Sequence, residues 1–409
     1  MASHKKILQS KGLVKRRASM TGAKRESVIH KIRDIELDLV AVEDQYDVLK
    51  EIGSGDYGKV VLACHKQTTT QVAIKAVPKA TTSLRDFLIE FHYSYFLSPH
   101  PGILDTYDVA FETSEHYCFA QEVAPFGDLW QAIERTHGVG LEEHNVKIVT
   151  EQVSSALEFL HDKQLVHRDV RAENILIFSV DFTKVKLTDF GLTRRAETLV
   201  KKRTRSLPTC PPEIWETVHL EGYNVELGSD VWQLAMLIYV CLTTKFPWEK
   251  ADITDPRFND FSEWQKRKTT RTPREFRRFS PRLLRCFKRM MEIKPSKRYP
   301  VTEVRKYYKD RWLLQRSPRA STGITVSQKL SSPLHDRRES LMIPKASVSR
   351  SHSCSHLMPT TYTMPSSTTL SVTQSRVQES PVVIKSKDDT HVSERSRFLS
   401  PVPLPYEDD

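Results

Sequence analysis

A chain of 409 residues is longer than one ordinary domain and leaves room for two or three. Its hydrophobic share, 39%, is slightly low for a wholly globular protein, while its 28% charged share is ordinary, so a globular part with a non-globular extension is expected. The 62 Lys and Arg outnumber the 51 Asp and Glu for a net charge of +11, but no aromatic-interleaved basic module accompanies the excess, and no nucleic-acid partner is expected. Six scattered cysteines without a C-x-x-C pair argue against a disulfide framework or zinc site and for a reducing setting, the cytosol or the nucleus, of which a cytoplasmic location is the one expected. Residues 1 to 15 carry charges without an apolar core, unlike a signal peptide. The longest apolar run, Val231 to Leu242, is interrupted by Gln233 and too short to span a bilayer; it reads as a buried helix.

In chain order, residues 1–45 read as a basic, flexible N-terminal segment. Lys5, Lys6, Lys11, Lys15, Arg16 and Arg17 give way to Asp34, Glu36, Asp38, Glu43 and Asp44. One element within it is expected to pack on the domain. Ile35, Leu37 and Leu39 alternate like a strand while Ile32, Ile35 and Leu39 suit a helix, so its type stays open. From Tyr46 the pattern turns to strands: Val48 and Ile52, then Val60–Ala63, then Val72–Lys75 beyond a turn at 66–71. The first two flank Gly53-Ser54-Gly55-Asp56-Tyr57-Gly58-Lys59-Val60, a glycine hairpin whose backbone can approach phosphates closely because no side chain intervenes.

A helix is expected over 83–97, carrying Glu90, then a strand over 117–121 and a connector over 122–128. Val146, Ile148, Val149, Val153, Leu157 and Leu160 space a helix over 144–163, which leads into His167-Arg168-Asp169-Val170-Arg171-Ala172-Glu173-Asn174. Asp189-Phe190-Gly191 follows, its Asp 15 residues beyond Asn174. Helices around 231–242, 261–264 and 283–291 complete a mainly helical second half. Beyond Trp312, Ser, Thr and Pro dominate and apolar periodicity disappears, so 314–409 is expected to be a disordered tail.

The ordered set of four motifs, the glycine hairpin, Val72-Ala73-Ile74-Lys75, the His167–Asn174 run and Asp189-Phe190-Gly191, resembles the eukaryotic protein kinase family across residues 46–313. Within it the chain is most similar to the SH3-binding kinase group of serine/threonine kinases. The resemblance implies an α+β bilobal fold, with a small β-rich lobe above a larger helical one. It also implies ATP and Mg2+ and transfer of the γ-phosphate to protein Ser/Thr hydroxyls.

By the same resemblance, Lys75, held by Glu90, would neutralise the α and β phosphates. Asp169 would orient the attacking hydroxyl, with Asn174 and Asp189 on the metal. Ile52, Gly53, Ser54, Gly55, Asp56, Tyr57, Gly58, Lys59, Val60, Ala73 and Leu176 would enclose the nucleotide. Glu122 and Ala124 would meet adenine, Asp128 the ribose, and Gln121 would stand behind the purine.

Arg171 departs from the usual Lys two residues after the aspartate, and its planar fork is not equivalent to an ammonium. Ser206, seven residues before Glu213, follows the serine/threonine pattern, and Arg298 stands where a buried partner of Glu213 is expected. Arg194, Arg195, Lys201, Lys202, Arg203 and Arg205 would recruit acidic substrates or a phosphorylated Thr198 or Thr204, or form a solvated loop. The group's name suggests an SH3-domain partner at Pro401-Val402-Pro403-Leu404-Pro405-Tyr406, although the tail has no P-x-x-P. A binding module using the same fold without transfer is the alternative reading.

Overall fold

The computed structural model describes residues 29–55, 58–202, 207–218 and 221–314. The expected two-lobed α+β architecture is present. The upper lobe is an antiparallel sheet of β1 (Tyr46–Gly55), β2 (Gly58–His65), β3 (Gln71–Pro78), β4 (Thr106–Glu112) and β5 (His116–Gln121), in the order β1-β2-β3-β5-β4. Alternation along β3 sends Val72, Ile74 and Ala76 into one apolar cluster with Tyr46, Phe111 and Ala120. Ala73, Lys75 and Val77 therefore fall on the other face, and Val77 packs there with Phe87, Phe91 and Phe119. The register pairs Val60 with Lys75 and Ala73 with Gln121, which places the candidate nucleotide residues of three strands side by side.

Of the hairpin glycines, Gly58 is the one with a demonstrable steric need. Its φ is +120°, and an added Cβ would lie 2.2 Å from the Ala76 carbonyl oxygen. That constraint comes from β2 crossing β3, in addition to any approach of phosphate.

Helix α1 (Leu84–Leu97) starts at Ser83, whose hydroxyl accepts the Asp86 N–H at 3.1 Å. Phe87 and Phe91, one turn apart, pack on Phe119 with ring centroids 5.9 and 5.7 Å away. The helix is thus seated on β5 with Glu90 between its two anchoring rings.

The lower lobe contains α2 (Leu129–Glu134), α3 (Glu143–His161), α4 (Pro212–Glu216), α5 (Leu227–Thr243), α6 (Pro256–Gln265) and α7 (Pro281–Met290). Short strand pairs β6 (Leu165–Val166) with β9 (Arg194–Arg195), β7 (Ile175–Ile177) with β8 (Val185–Leu187), and β10 (Leu199–Lys201) with β11 (Gly222–Asn224) complete it. Every residue of α5 from Ser229 to Thr243 is buried, as the apolar run requires. Trp232, Trp248, Phe258, Phe261 and Phe276 form an aromatic cluster at one flank of α5.

Of the segment read as flexible, residues 29–45 are described, and they lie packed on the upper lobe. Ile35 and Leu37 sit against the Phe87–Phe91 cluster and Val40 and Val42 against the sheet. Leu39 makes a parallel bridge to Glu112 on β4, and Val42–Gln45 forms a single helical turn. No helix forms over 32–39, and the strand-like alternation holds at Ile35 and Leu37 but not at Leu39, which is 73% exposed. Asp56 and Tyr57, residues 203–206, the basic cluster from Lys5 to Arg17 and the proline-rich end lie outside the described residues. No helix among the described residues is long and apolar enough to cross a membrane.

Candidate active site

The His167–Asn174 loop hangs from the buried start of α5. Asp230, fully buried, accepts the His167 and Arg168 backbone N–H groups at 2.8 Å each, and His161 Nε2 lies 3.0 Å from the same carboxylate. One turn on, Gln233 accepts the Val170 N–H at 2.9 Å and donates to the Arg168 carbonyl at 2.9 Å. Four backbone groups around Asp169 are therefore bound by two α5 side chains. These contacts hold Arg168 at φ +70°, a left-handed conformation that costs an L-residue roughly 1–2 kcal/mol. In the sequence Gln233 stands only as an interruption of an apolar run, and Asp230 directly precedes that run. The signal was there, since a lone amide inside an apolar run must find buried partners.

His167 accepts the Asp169 N–H at Nδ1, 3.2 Å, so Nε2 carries the proton toward the Thr188 carbonyl, 3.1 Å away. Phe190 closes on the same ring edge to face at 5.1 Å and is almost fully buried. The Asp189 segment and the Asp169 loop are thereby joined through one imidazole.

Lys75 bridges the lobes. Its ammonium bonds Glu90 on α1 and lies 3.2 Å from Asp189, which has a left-handed φ of +67°. Burial opposes the Lys75 charge, but Asp189 and Glu90 outweigh it and hold the pKa above its ordinary value. Burial pushes the Glu90 carboxyl up. Asp189 is also disfavoured by burial, yet Lys75 holds it below the usual carboxylate range.

Asp169 is raised, first by burial and then by the nearby Asp189 charge. The Asn174 amide donates to the Asp169 carbonyl at 2.9 Å and to its carboxylate at 3.0 Å, which leaves Oδ1 as the acceptor end of Asn174. Asn174 Oδ1 and the Asp189 carboxylate are hard oxygen donors, few in number. That set fits a magnesium ion completed by water and phosphate oxygens. Arg171 does not stand free: its guanidinium is bound by Glu173 in a two-point pair.

Around the cleft, Val60 and Ala73 lie on β2 and β3, and Leu176 on β7 bridges to Asp128. Gln121 is buried and donates to Thr106 Oγ1 at 3.0 Å. The connector is more structural than its sequence suggests. The Glu122 N–H donates to the Asp105 carbonyl at 2.9 Å, and its carboxylate accepts the Asp105 N–H at 2.7 Å and bonds Lys186. Asp128 caps α2 by accepting the Gln131 N–H at 2.9 Å, and burial pushes its pKa up.

Further out, Arg298, with its side chain wholly buried, binds both Glu213 oxygens at 2.9 and 3.0 Å and the Gly228 carbonyl at 2.9 Å. Among the described basic residues expected to attract acidic substrates, Arg194 and Lys202 are engaged internally. Arg194 donates to the Gly191 and Thr193 carbonyls, and Lys202 to those of Trp215 and Thr217. Tyr223, on β11, was not singled out by sequence; its hydroxyl accepts from Arg168 at 3.0 Å.

An assembly split in this way between a β-rich and a helical lobe is built to handle a nucleoside triphosphate and a hydroxyl, and it defines the protein kinase class. Comparison with known proteins agrees: the chain belongs to the protein kinase domain family, whose model matches residues 46–312. It is 44% identical over 301 residues to the serine/threonine-protein kinase meng-po of Drosophila melanogaster, a match covering 73% of this chain and 65% of the fly protein. The serine/threonine-protein kinase SBK1 of Danio rerio is 43% identical over 68% of this chain and 72% of its own length. Its Mus musculus namesake is 42% identical over 66% and 64%. The chain thus spans a little under two thirds of the fly and mouse relatives and a little over two thirds of the zebrafish one.

Proposed function

We propose that the protein transfers the γ-phosphoryl group of ATP to serine or threonine hydroxyls of other proteins. The observation that carries this reading is Lys75 held between Glu90 and Asp189 while the Asn174 amide grips Asp169. In this reading Lys75 offsets phosphate charge, and Glu90 keeps its flexible stem in place. Asp169 accepts the hydrogen bond of the incoming hydroxyl. Its raised pKa, caused by burial and Asp189, makes it a better proton acceptor than a free aspartate.

Asn174 and Asp189 would hold magnesium, which when bound would supply positive charge to offset that of the phosphates. The span from Ile52 through Gly53, Ser54, Gly55, Asp56, Tyr57, Gly58 and Lys59 to Val60 roofs the nucleotide. Ala73 and Leu176 enclose the base, the Glu122 carbonyl and the Ala124 backbone meet its edge, and Asp128 reaches the ribose with the oxygen its cap leaves over. Arg171 is bonded to Glu173 through Nε and Nη2, so the Nη1 end of its guanidinium is the part that would meet phosphate, with its charge partly offset by Glu173.

The kinase domain is proposed as residues 46–313, between an N-terminal segment, 1–45, and a tail, 314–409, in a cytoplasmic protein. Docking of an SH3 domain on residues 401–406 rests on the family resemblance alone, and a panel of purified SH3 domains tests it. The central test is label transfer from radioactive ATP to a generic protein substrate, with phosphoamino-acid analysis. Phosphoserine and phosphothreonine are expected, with Mg2+ required and Asp169→Asn inert. Phosphotyrosine alone, or an Asp169→Asn variant at normal turnover, refutes the assignment.

A further inference from the structure

Residues 29–42 do more than cover the sheet: they tie α1 to β4. His92, fully buried and two residues beyond Glu90, has both ring nitrogens taken up by this segment. Its Nδ1 accepts the Arg33 backbone N–H at 3.1 Å, so the opposite nitrogen, Nε2, is the donor to the Ile29 carbonyl at 3.0 Å. The Arg33 side chain then reaches Asp108 on β4 at 2.8 Å, passing over the rings of Phe91 and Tyr95, whose centroids lie 5.8 and 5.5 Å from the guanidinium carbon. Farther along, the Val40 N–H donates to Glu112 and the Glu112 N–H to Asp38, at 2.8 and 2.9 Å, which fastens the segment to the outermost strand. Ile29 is buried in the main core and Ile32 packs where that core meets the α1 cluster. One stretch of chain therefore grips the helix through its side chain and backbone and the sheet through an ion pair and a strand bridge.

We propose that this strap is a working part of the catalytic unit, and that Arg33, His92 and Asp108 are positioning residues acting through α1 on the Lys75–Glu90 pair. The proposal rests on the kinase reading above. Glu90 is carried by α1 and Lys75 by the sheet, so their contact survives only while helix and sheet hold a fixed relation. Phe87 and Phe91 resist withdrawal of the helix through non-directional packing on Phe119. The strap adds directional bonds to His92 on the same helix and to Asp108 on the same sheet, and these resist rotation and sliding.

The experiment compares full-length wild type with Arg33→Ala, Asp108→Asn, His92→Gln and the charge swap Arg33→Asp with Asp108→Arg. Two readouts are taken: steady-state transfer at varied ATP and varied peptide, and hydrogen exchange of the α1 amides without nucleotide. Expected for Arg33→Ala and Asp108→Asn is a drop of about tenfold in kcat, the size typical of a packed network coupling two elements, with the KM for peptide unchanged. Exchange across 87–93 accelerates in the same variants, and the charge swap restores both readouts. His92→Gln retains a donor and an acceptor and is expected to lose less than Arg33→Ala.

The proposal is overturned if Arg33→Ala and Asp108→Asn keep wild-type kcat, if kcat falls with α1 exchange unchanged, or if peptide KM rises with kcat intact. Should the wild type itself transfer no label, the kinase reading fails first. Exchange at 87–93 then still decides whether the strap holds α1: faster exchange in Arg33→Ala supports the hold, and unchanged exchange removes it.

Discussion

Asp230 offers the sharpest test of how the helical lobe shapes the site. Its carboxylate is fully buried and accepts three hydrogen bonds: from the His167 N–H and His161 Nε2 on one oxygen, and from the Arg168 N–H on the other. Asp230→Asn preserves volume but can keep its carbonyl oxygen on only one side. The favourable orientation leaves it facing His167 and His161, so the new NH2 meets the Arg168 N–H donor to donor. A hydrogen bond to a charged group is worth about 1.5–3 kcal/mol, and the two surviving bonds also lose their ionic character, so a net loss of about 3 kcal/mol is expected. The bond lost is the one that helps hold Arg168 at φ +70°, so the backbone beside Asp169 relaxes. A displacement of about 1 Å there costs roughly 100-fold in kcat.

Asp230→Ala strands two buried backbone N–H groups and opens a cavity, for about 5 kcal/mol. Urea midpoints followed by tryptophan fluorescence, with Trp232 next to the lesion, give the stability, and label transfer gives kcat. If Asp230→Asn unfolds at the wild-type urea concentration and turns over at the wild-type rate, then α5 does not organise the loop and the argument is wrong.

Three further predictions follow the same logic. Glu213→Gln leaves the wholly buried Arg298 guanidinium without its counter-charge and is expected to destabilise by about 3 kcal/mol. Arg298→Met costs more, because the Gly228 and Glu292 carbonyls also lose a donor, and a urea series that reverses this order contradicts the reading. Tyr223→Phe removes the hydroxyl that accepts from Arg168 while keeping the ring beneath it. A fall of about fivefold in kcat, equivalent to about 1 kcal/mol, is expected in phosphatase-treated protein, and an unchanged rate would show that the hydroxyl is idle.

His92 supplies a pH signature. Burial first, opposed by the Ile29 carbonyl and joined by the charges of Arg33 and His30, pushes its pKa down to about 4 from 6.5. Because the folded pKa is the lower one, the unfolded chain binds the extra proton. This contribution is complete above pH 6.5 and is lost as pH falls toward 4, by about 3 kcal/mol over that window. His92→Gln should therefore flatten the fall in urea midpoint between pH 6.5 and 4, and an unaltered slope would count against a neutral His92.

Much of the candidate site was legible because each motif is local. The motifs stand in the sequence itself, the roles proposed for Lys75, Glu90, Asp169, Asn174 and Asp189 come from the family resemblance, and the fold brings Lys75 to Glu90 and Asp189 and Asn174 to Asp169. Reading failed where a residue's partner is remote in sequence. Glu122 is tied to Lys186, 64 positions away, and Gln233 to the Arg168 carbonyl, 65 positions away. Arg33 was not singled out in the sequence because its partners, His92 and Asp108, are 59 and 75 residues distant.

The amino-acid order by itself therefore determined the main strands and helices, though not β4, together with the buried character of α5 and the family. Periodicity and motif spacing are properties of neighbouring residues, and neighbours are what a sequence displays. Tertiary structure alone decided that Asp230 and Gln233 suspend the Asp169 loop, that Arg171 is bound by Glu173, and that residues 29–42 belong to the upper lobe. Each of those outcomes depends on which donor meets which acceptor, and only a folded chain brings such groups to within 3 Å or so.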